Sequence, residues 1–300
     1  MSRAELVSKS AKRERTILQT LAYIGLGIFF LWTTLPLLVM VLSSMKQMRD
    51  AFEIPAVGDW SGAFMKMFDF TPTLVHYHDL FVEKGFSTYI VNSVVAATTA
   101  SVISVFLGAL AAYGLSRGRI KGDKHLSFWI LSSRMAPVVA VMVPLYAIFA
   151  GMGLLEPDRT RNMVALILAY TTFDLPFAVW FLRTFFEDIP LGVEEAAKLD
   201  GCSNLQAFVK VVLPLAVPGI AAALILCLVF SWNDYMFASI FGQQGAKTLP
   251  VATAELHSTV SIQWGRIMAS GTILITPMIF LGVLVKKYMV QGMTSGAVRD

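Results

Sequence analysis

Charged residues are scarce in this sequence. Asp, Glu, Lys and Arg make up 15% of its 300 residues, against about a quarter in a typical soluble domain. Hydrophobic residues make up 56%, and the mean hydropathy is +0.66. A soluble domain of this composition would expose large apolar patches, and intrinsic disorder requires low hydrophobicity with high net charge. The scarcity of charge therefore excludes both classes and indicates a protein whose solvent is largely lipid.

Motifs that carry chemistry are also missing. The two cysteines cannot form a disulfide framework, and no Cys/His cluster or H-E-x-x-H has the spacing of a zinc site. No G-x-x-x-x-G-K-[ST] loop is present to cradle phosphates. We therefore expect a non-catalytic chain that has no cofactor of its own and does not hydrolyse ATP alone. The net charge is +4, but the basic residues lie between apolar runs instead of on one concentrated face, which disfavours nucleic acid as a partner.

Six apolar runs are long enough to cross a bilayer as helices, which requires about 20 residues. Each run carries at most one charged residue: 16–45, 85–116, 126–155, 162–182, 211–246 and 267–285. The runs do not alternate as the strands of a membrane barrel would. We predict an all-α membrane protein with six transmembrane helices, the first an uncleaved signal anchor. Gly108 with Ala112, and Gly219 with Ala223, recur at four-residue spacing and predict close helix packing.

The distribution of basic residues predicts the orientation. With the N-terminus in the cytoplasm, 15 of the 24 Lys and Arg residues lie on the cytoplasmic side, 8 lie on the other side, and Arg134 lies inside a run. The positive-inside rule therefore places both termini in the cytoplasm. The corresponding domain scheme is a cytoplasmic tail over 1–15, a transmembrane domain over 16–290 and a second cytoplasmic tail over 291–300.

The cytoplasmic stretch 187–214, between the fourth and fifth runs, has the signals of two short helices. Pro190 suits the first turn of a helix, where its missing N–H is not needed. Gly201 suits a left-handed stop, and Ser203 suits the cap of a second helix. We predict a helix pair that is joined at Gly201 and projects from the membrane.

An amphipathic helix pair at this position is suited to the groove of a partner. Ala196 and Ala197 permit close backbone approach, and the carboxylates of Glu194 and Glu195 can anchor an Arg or Lys of the partner. The alternative is an interfacial helix that lies on the bilayer and contacts no partner. Composition alone does not decide between these two interpretations.

The spacing within this stretch resembles a known motif. The sequence has Glu-Ala-Ala at 195–197, Gly201 after three further residues, and Leu-Pro at 213–214. It resembles the EAA loop, EAA-x3-G-x9-I-x-LP, of the membrane subunits of binding-protein-dependent ABC importers, with Val211 in place of isoleucine. The tail 292–299 is similar to that of the smaller permease of maltose-type systems. Other stretches resemble the carbohydrate branch of the family: 89–93, 112–117, 134–137, 176–180 and 230–234.

The resemblance implies a type I ABC importer permease fold in a bacterial inner membrane, with 187–214 as the EAA coupling loop. It implies that this loop docks into a cytoplasmic ATPase, present in two copies, which binds the ATP and Mg. It also implies a homologous second permease, and a periplasmic or lipoprotein solute-binding protein that delivers a sugar, sugar derivative or polyol. The residues implied in ATPase coupling are Glu194, Glu195, Ala196, Ala197, Asp200, Gly201, Leu213 and Pro214.

Charged residues inside the apolar runs mark a second candidate site, because a charge in hydrocarbon is costly unless it is paired or hydrated. Arg134, Asp174 and Asp234 either line a substrate pathway or gate, or form a structural ion pair between Arg134 and one of the aspartates. The stretch 232–235 suits the hydroxyls and ring faces of a sugar, and equally suits an aromatic belt. The candidate pathway or gate residues are Arg134, Asp174, Trp232, Asn233, Asp234 and Tyr235.

Two other functions remain open at this point, whereas a membrane-embedded enzyme is disfavoured because no constellation of a nucleophile or a metal site is present. A member of the same family can import a different small solute, such as a peptide, an amino acid or an ion. A self-sufficient secondary transporter would use mid-membrane carboxylates, such as Asp174 and Asp234, and usually contains an internal repeat. No repeat is apparent in the sequence, and such a transporter would leave the EAA-like loop unexplained.

Overall fold

The structure is a computed structural model that describes residues 3–47, 60–118, 120–243, 245–257 and 263–295. Within these ranges the regular elements are helices and no β-strand occurs, which confirms the all-α prediction. The helices are α1 (Arg3–Ser44), α2 (Trp60–Phe68), α3 (Val75–His78), α4 (Phe86–Arg117), α5 (Asp123–Ser133), α6 (Val138–Gly151), α7 (Arg159–Asp188), α8 (Leu191–Leu199), α9 (Asn204–Ala207), α10 (Leu213–Leu215), α11 (Val217–Asn233), α12 (Met236–Phe241), α13 (Leu249–Glu255) and α14 (Trp264–Ser295). Two π-helical turns, Asp79–Glu83 and Phe208–Val212, follow α3 and α9.

Four helices in the described ranges are long and apolar enough to cross a membrane without a break. They are Arg15–Ser44 within α1, the whole of α4 and α7, and Trp264–Val285 within α14. The shortest has 22 residues and therefore extends about 33 Å, enough for roughly 30 Å of hydrocarbon. These helices coincide with the first, second, fourth and sixth apolar runs.

The third and fifth apolar runs are each broken. The chain bends by 84° between α5 and α6, and by 72° between Asn204–Leu215 and α11. Pro137 lies immediately before α6, and Pro218 lies in the first turn of α11. A proline lacks the N–H for a helical hydrogen bond and disfavours the helical conformation of the residue before it. The described residues thus contain four unbroken candidate spans, or six if each bent pair crosses as one.

The helices cluster into two compact units. One lies within Met1–Asp79 and Thr259–Thr272, and the other within Leu80–Ser258 and Ile273–Asp300. In the first unit, the Ser44 hydroxyl oxygen lies 2.7 Å from the Tyr77 hydroxyl oxygen, and an ion pair of 2.7 Å joins Arg266 to Asp79. These polar contacts connect the end of α1, the region of α3 and the start of α14.

The core of the second unit lies where α4, α7 and α11 meet through small residues. Gly108 on α4 approaches α7 so closely that a Cβ atom built on it would lie 2.8 Å from the Ala178 Cβ. Gly219 on α11 lies against the ring of Phe185, and the alanines four residues after each glycine are buried. The predicted close packing is confirmed, because side chains this small allow two backbones to approach.

Candidate functional site

The stretch 187–214 contains the predicted pair of short helices. α8 begins after Pro190, so this proline precedes the helix by one residue instead of lying in its first turn. Gly201 has a φ of +91°, a left-handed conformation that strains residues with a Cβ atom. Ser203 caps α9 through a reciprocal capping box with Gln206. We call residues 191–212, which comprise α8, α9 and the π-helical turn after it, the handle.

The base of the handle packs against the ends of α4 and α7. The ring centre of Tyr113 on α4 lies 4.3 Å from that of Phe208 and 5.9 Å from that of Phe186 on α7. Phe208 and Val212 are buried in one cluster with residues of α4, α7 and α11. Buried contacts therefore fix the handle to the three helices that form the core of the second unit.

Glu194 faces the interior of the chain. It is only 3% exposed, and its Oε1 lies 2.5 Å from Nε of Arg117, the last residue of α4. The Tyr113 hydroxyl donates to Glu194 Oε2 at 3.0 Å, and Arg117 Nη2 donates to the Ile189 carbonyl at 2.8 Å. Glu194 therefore does not present its carboxylate to a partner as predicted, whereas Glu195 is exposed. Arg117 and Tyr113 are missing from the predicted site because no spacing pattern indicates a contact 77 residues away along the chain.

The outer face of the handle is exposed and carries apolar side chains. Leu199 is 89% exposed, and Leu191 and Leu205 are also exposed. Sequence reasoning does not predict the exposure of Leu199 or Leu205, because apolar residues at helical spacing fit a buried face equally well. Exposed leucines beside a carboxylate form a surface that suits a partner's groove. The eight predicted coupling residues divide into exposed Glu195, Ala196, Asp200, Gly201 and Pro214, partly buried Leu213, and buried Glu194 and Ala197.

Arg134 lies at the bend between α5 and α6 and is held by aromatic rings. Its guanidinium carbon lies 4.2 Å from the ring centre of Phe230 and 4.8 Å from that of Phe177. Both rings attract the cation through their π faces. Within the described ranges Arg134 has no ion pair at 4.0 Å or closer, so the alternative in which it pairs directly with Asp174 or Asp234 is not seen. The rings on α7 and α11 take the place of a carboxylate.

The two aspartates make separate contacts. Asp174 on α7 is 2% exposed and accepts a hydrogen bond of 2.7 Å from the Ser231 hydroxyl on α11. Asp234 follows α11 and accepts hydrogen bonds from the backbone N–H groups of Phe237, at 2.9 Å, and Ala238, at 3.2 Å. Asp234 thereby satisfies donors at the start of α12 that have no partner within the helix.

The stretch 232–235 does not form one polar and aromatic face. Trp232 is buried, and its indole N–H donates to the Leu274 carbonyl at 3.1 Å. Asn233 and Tyr235 are exposed, so these two residues of the stretch are accessible to a solute. In the part of the chain that the structure describes, no three His, Cys, Asp or Glu side chains come together as a metal site requires.

Comparisons with known proteins agree with this architecture. Inner membrane ABC transporter permease protein YcjP of Escherichia coli (strain K12) is 34% identical over 96% of this chain and 99% of its own length. Trehalose transport system permease protein SugB of Mycobacterium tuberculosis (strain CDC 1551 / Oshkosh) is 36% identical over 78% of this chain and 85% of its own length. The trehalose/maltose transport system permease protein MalG of Thermococcus litoralis is 30% identical over 71% of this chain and 76% of its own length.

The fold is also found in a solved structure. The crystal structure of a bacterial ABC transporter involved in the import of the acidic polysaccharide alginate matches with a TM-score of 0.65 at 16% identity, over 96% of this chain and 98% of that chain. Residues 104–295 match the family model described as binding-protein-dependent transport system inner membrane component. The chain therefore belongs to this family of binding-protein-dependent inner membrane transport components, as a multi-pass permease.

Proposed function

We propose that this chain is a permease subunit of an ATP-driven importer for a sugar, sugar derivative or polyol, and that a cytoplasmic ATPase grips it at the handle. Relatives named for the transport of trehalose, of trehalose and maltose, and of diacetylchitobiose support this class of cargo. Each of these relatives is similar over at least 71% of the chain. In this proposal the chain itself performs no covalent chemistry.

The observation that carries the proposal is the two-sided construction of the handle. Its inner side is fixed by Phe208, Val212 and the ion pair of Glu194, while its outer side exposes Glu195 and Leu199. A helix of nine residues, such as α8, is unstable by itself in water. The buried inner side therefore stabilises the helix that presents the outer side. A partner that grips the outer side would move the helices beneath instead of deforming the handle.

The complete transporter requires other subunits. We expect a homologous second permease to complete the pore, and two ATPase copies, each with ATP and Mg, to close on the handles of both permeases. We expect a periplasmic or lipoprotein solute-binding protein to deliver the cargo; one structural neighbour was solved in complex with an alginate pentasaccharide-bound periplasmic protein. ATP then acts by changing the relative stability of inward-facing and outward-facing states, so this chain needs no cofactor.

The proposed topology has six crossings with both termini in the cytoplasm. The third consists of α5 and α6, and in the fifth α11 crosses while the segment before its bend stays on the cytoplasmic side. The handle then lies between the fourth and fifth crossings, on the side where an ATPase can reach it. The transmembrane domain 16–290 lies between cytoplasmic tails at 1–15 and 291–300. Residues 1–2 and 296–300 of these tails lie outside the described residues.

The proposed cargo pathway passes near the bend at Arg134. Arg134 is partly exposed, and Asn233 and Tyr235 are exposed, so these residues are available to a solute. Arginine, amide and phenol groups can donate hydrogen bonds to hydroxyls, and an aromatic ring can cover a sugar face. The remaining predicted pathway residues stabilise the helices beside this pathway through their own hydrogen bonds. They are Asp174, Trp232 and Asp234.

Uptake of radiolabelled trehalose and maltose by cells that express the whole transporter tests this function. We expect Glu195→Arg and Gly201→Asp to abolish uptake without preventing membrane insertion, because they change the outer face and the left-handed turn of the handle. Lys121→Glu is the matched control, since it reverses an exposed charge between α4 and α5, outside the stretch 187–214, and its uptake should stay near normal.

The outcomes separate the competing functions. Normal uptake by both handle variants would contradict the docking role of the handle. Transport by this chain alone, in ATP-free vesicles under an ion gradient, would establish a secondary transporter instead. If the intact transporter imports an amino acid or peptide and neither sugar, the permease function stands and the cargo class is wrong.

A further inference from the structure

The handle is joined covalently to two of the three core helices. Ile189 and Pro190 connect it to α7, and α10 with Ala216 connects it to α11 through the bend of 72°. α4 has no such connection, because its last residue, Arg117, lies 74 positions before the start of the handle at Leu191. A movement of the handle can therefore reach α4 only through side-chain contacts.

Those contacts centre on one buried ion pair. Arg117 Nε lies 2.5 Å from Glu194 Oε1, and the side chains of the two residues are 11% and 4% exposed. Arg117 also donates to the Ile189 carbonyl, and the second Glu194 oxygen accepts from Tyr113. A pair shielded from water is screened little by salt, and its several charge-assisted hydrogen bonds fix direction as well as distance.

We infer that Arg117 and Glu194 are positioning residues that make α4 move together with the handle when the ATPase closes. This inference rests on the proposed function, since it requires a motor at the outer face. With the pair intact, the handle, α4, α7 and α11 share one buried cluster and act as one body. Without it, the handle can turn on its covalent links to α7 and α11 while α4 lags behind.

The ring contact between Tyr113 and Phe208 does not replace the ion pair between Arg117 and Glu194. Aromatic pairs are stable in both offset-stacked and edge-to-face arrangements, whereas the guanidinium of Arg117 holds a carboxylate of α8 and the Ile189 carbonyl at once. The geometry therefore assigns the transmission of direction to the ion pair, and the filling of space to the rings.

The test is the amount of ATP hydrolysed per sugar imported, measured with the complete transporter in liposomes and normalised to assembled complex. We expect Arg117→Gln and Glu194→Gln to leave the rate of ATP hydrolysis within about twofold of wild type. We expect both variants to raise the ratio of ATP hydrolysed to sugar imported about tenfold, an effect within the range that residues along a coupling network produce. Arg117→Lys keeps the charge and should restore a ratio close to wild type. Tyr113→Phe removes one hydrogen bond, so its ratio should lie between that of wild type and that of the glutamine variants.

Asp123→Asn is the matched control. It removes an ion pair of 2.7 Å with Arg183 that joins the start of α5 to the end of α7 and does not involve the handle. Arg183 keeps its second carboxylate partner, Glu187, at 2.6 Å. The ratio for Asp123→Asn should therefore equal that of wild type.

Each outcome has one meaning. A wild-type ratio in Arg117→Gln and Glu194→Gln would overturn the inference, as would an equal rise in Asp123→Asn. If the glutamine variants assemble poorly, a ratio for Tyr113→Phe identical to that of wild type would overturn it as well. Failure of the proposed function looks different, because then the wild-type chain would assemble with no ATP-hydrolysing subunit at all.

Discussion

Gly108→Ala tests the packing that holds α4 against α7. The added Cβ would lie 2.8 Å from the Ala178 Cβ and 3.2 Å from backbone atoms of Ala178 and Val179. These are backbone atoms and a rigid methyl group, so no flexible side chain can move aside. Overpacking of this kind costs about 1–3 kcal/mol. Domains of this size class lose roughly 2–4 °C of thermal midpoint per kcal/mol, so we expect the midpoint to fall by about 2–12 °C.

The assay is the amount of monodisperse protein in mild detergent after heating, followed by size-exclusion chromatography. Gly114→Ala is the matched control on the same helix, because a Cβ there meets no atom within 4 Å. Alanine favours a helix over glycine by about 0.5–1 kcal/mol, so the control should be as stable as wild type or slightly more stable. Equal midpoints for the two variants would refute the close approach of α4 and α7.

Three further predictions concern the handle and the bend. Ser203→Ala removes the cap of α9, which costs about 0.5–2 kcal/mol, and amide exchange in α9 should accelerate; unchanged exchange would show that the capping box does not stabilise the handle. Arg134→Gln loses both cation–π contacts, about 0.5–2 kcal/mol, and should import less sugar than Arg134→Lys; equal uptake would contradict the role of the rings. Lys198→Cys, with Cys202 replaced by serine, should react with a membrane-impermeant thiol reagent only from the cytoplasmic side, and labelling from outside would reverse the topology.

The handle illustrates how much the sequence can predict. Pro190, Gly201 and Ser203 act through the backbone of their own segment, so their effect on local structure can be derived from sequence within one residue. The direction of Glu194 depends instead on Arg117, which lies 77 residues away. Two adjacent glutamates on a short helix are equivalent in sequence, and only tertiary packing decides that Glu194 is buried and Glu195 exposed.

The interior charges show the same limit. The cost of a charge in hydrocarbon correctly marks Arg134 and Asp174 as residues that need partners. It does not identify those partners, because an aromatic face and a carboxylate can both stabilise a guanidinium. Similarly, a proline in the third or fifth run permits a kink, whereas the bends of 84° and 72° depend on how the flanking helices pack.

Site-specific cross-linking in the intact transporter tests most directly whether a motor subunit holds the handle. A photoreactive amino acid at Leu199, which is 89% exposed, or at Leu205 should form a covalent adduct with a nucleotide-hydrolysing subunit. The same probe at Glu255, between the fifth and sixth crossings on the opposite side of the proposed topology, should form none. Adducts to lipid alone at Leu199 and Leu205, in a transporter that is active in the same membranes, would contradict the docking of an ATPase on this surface.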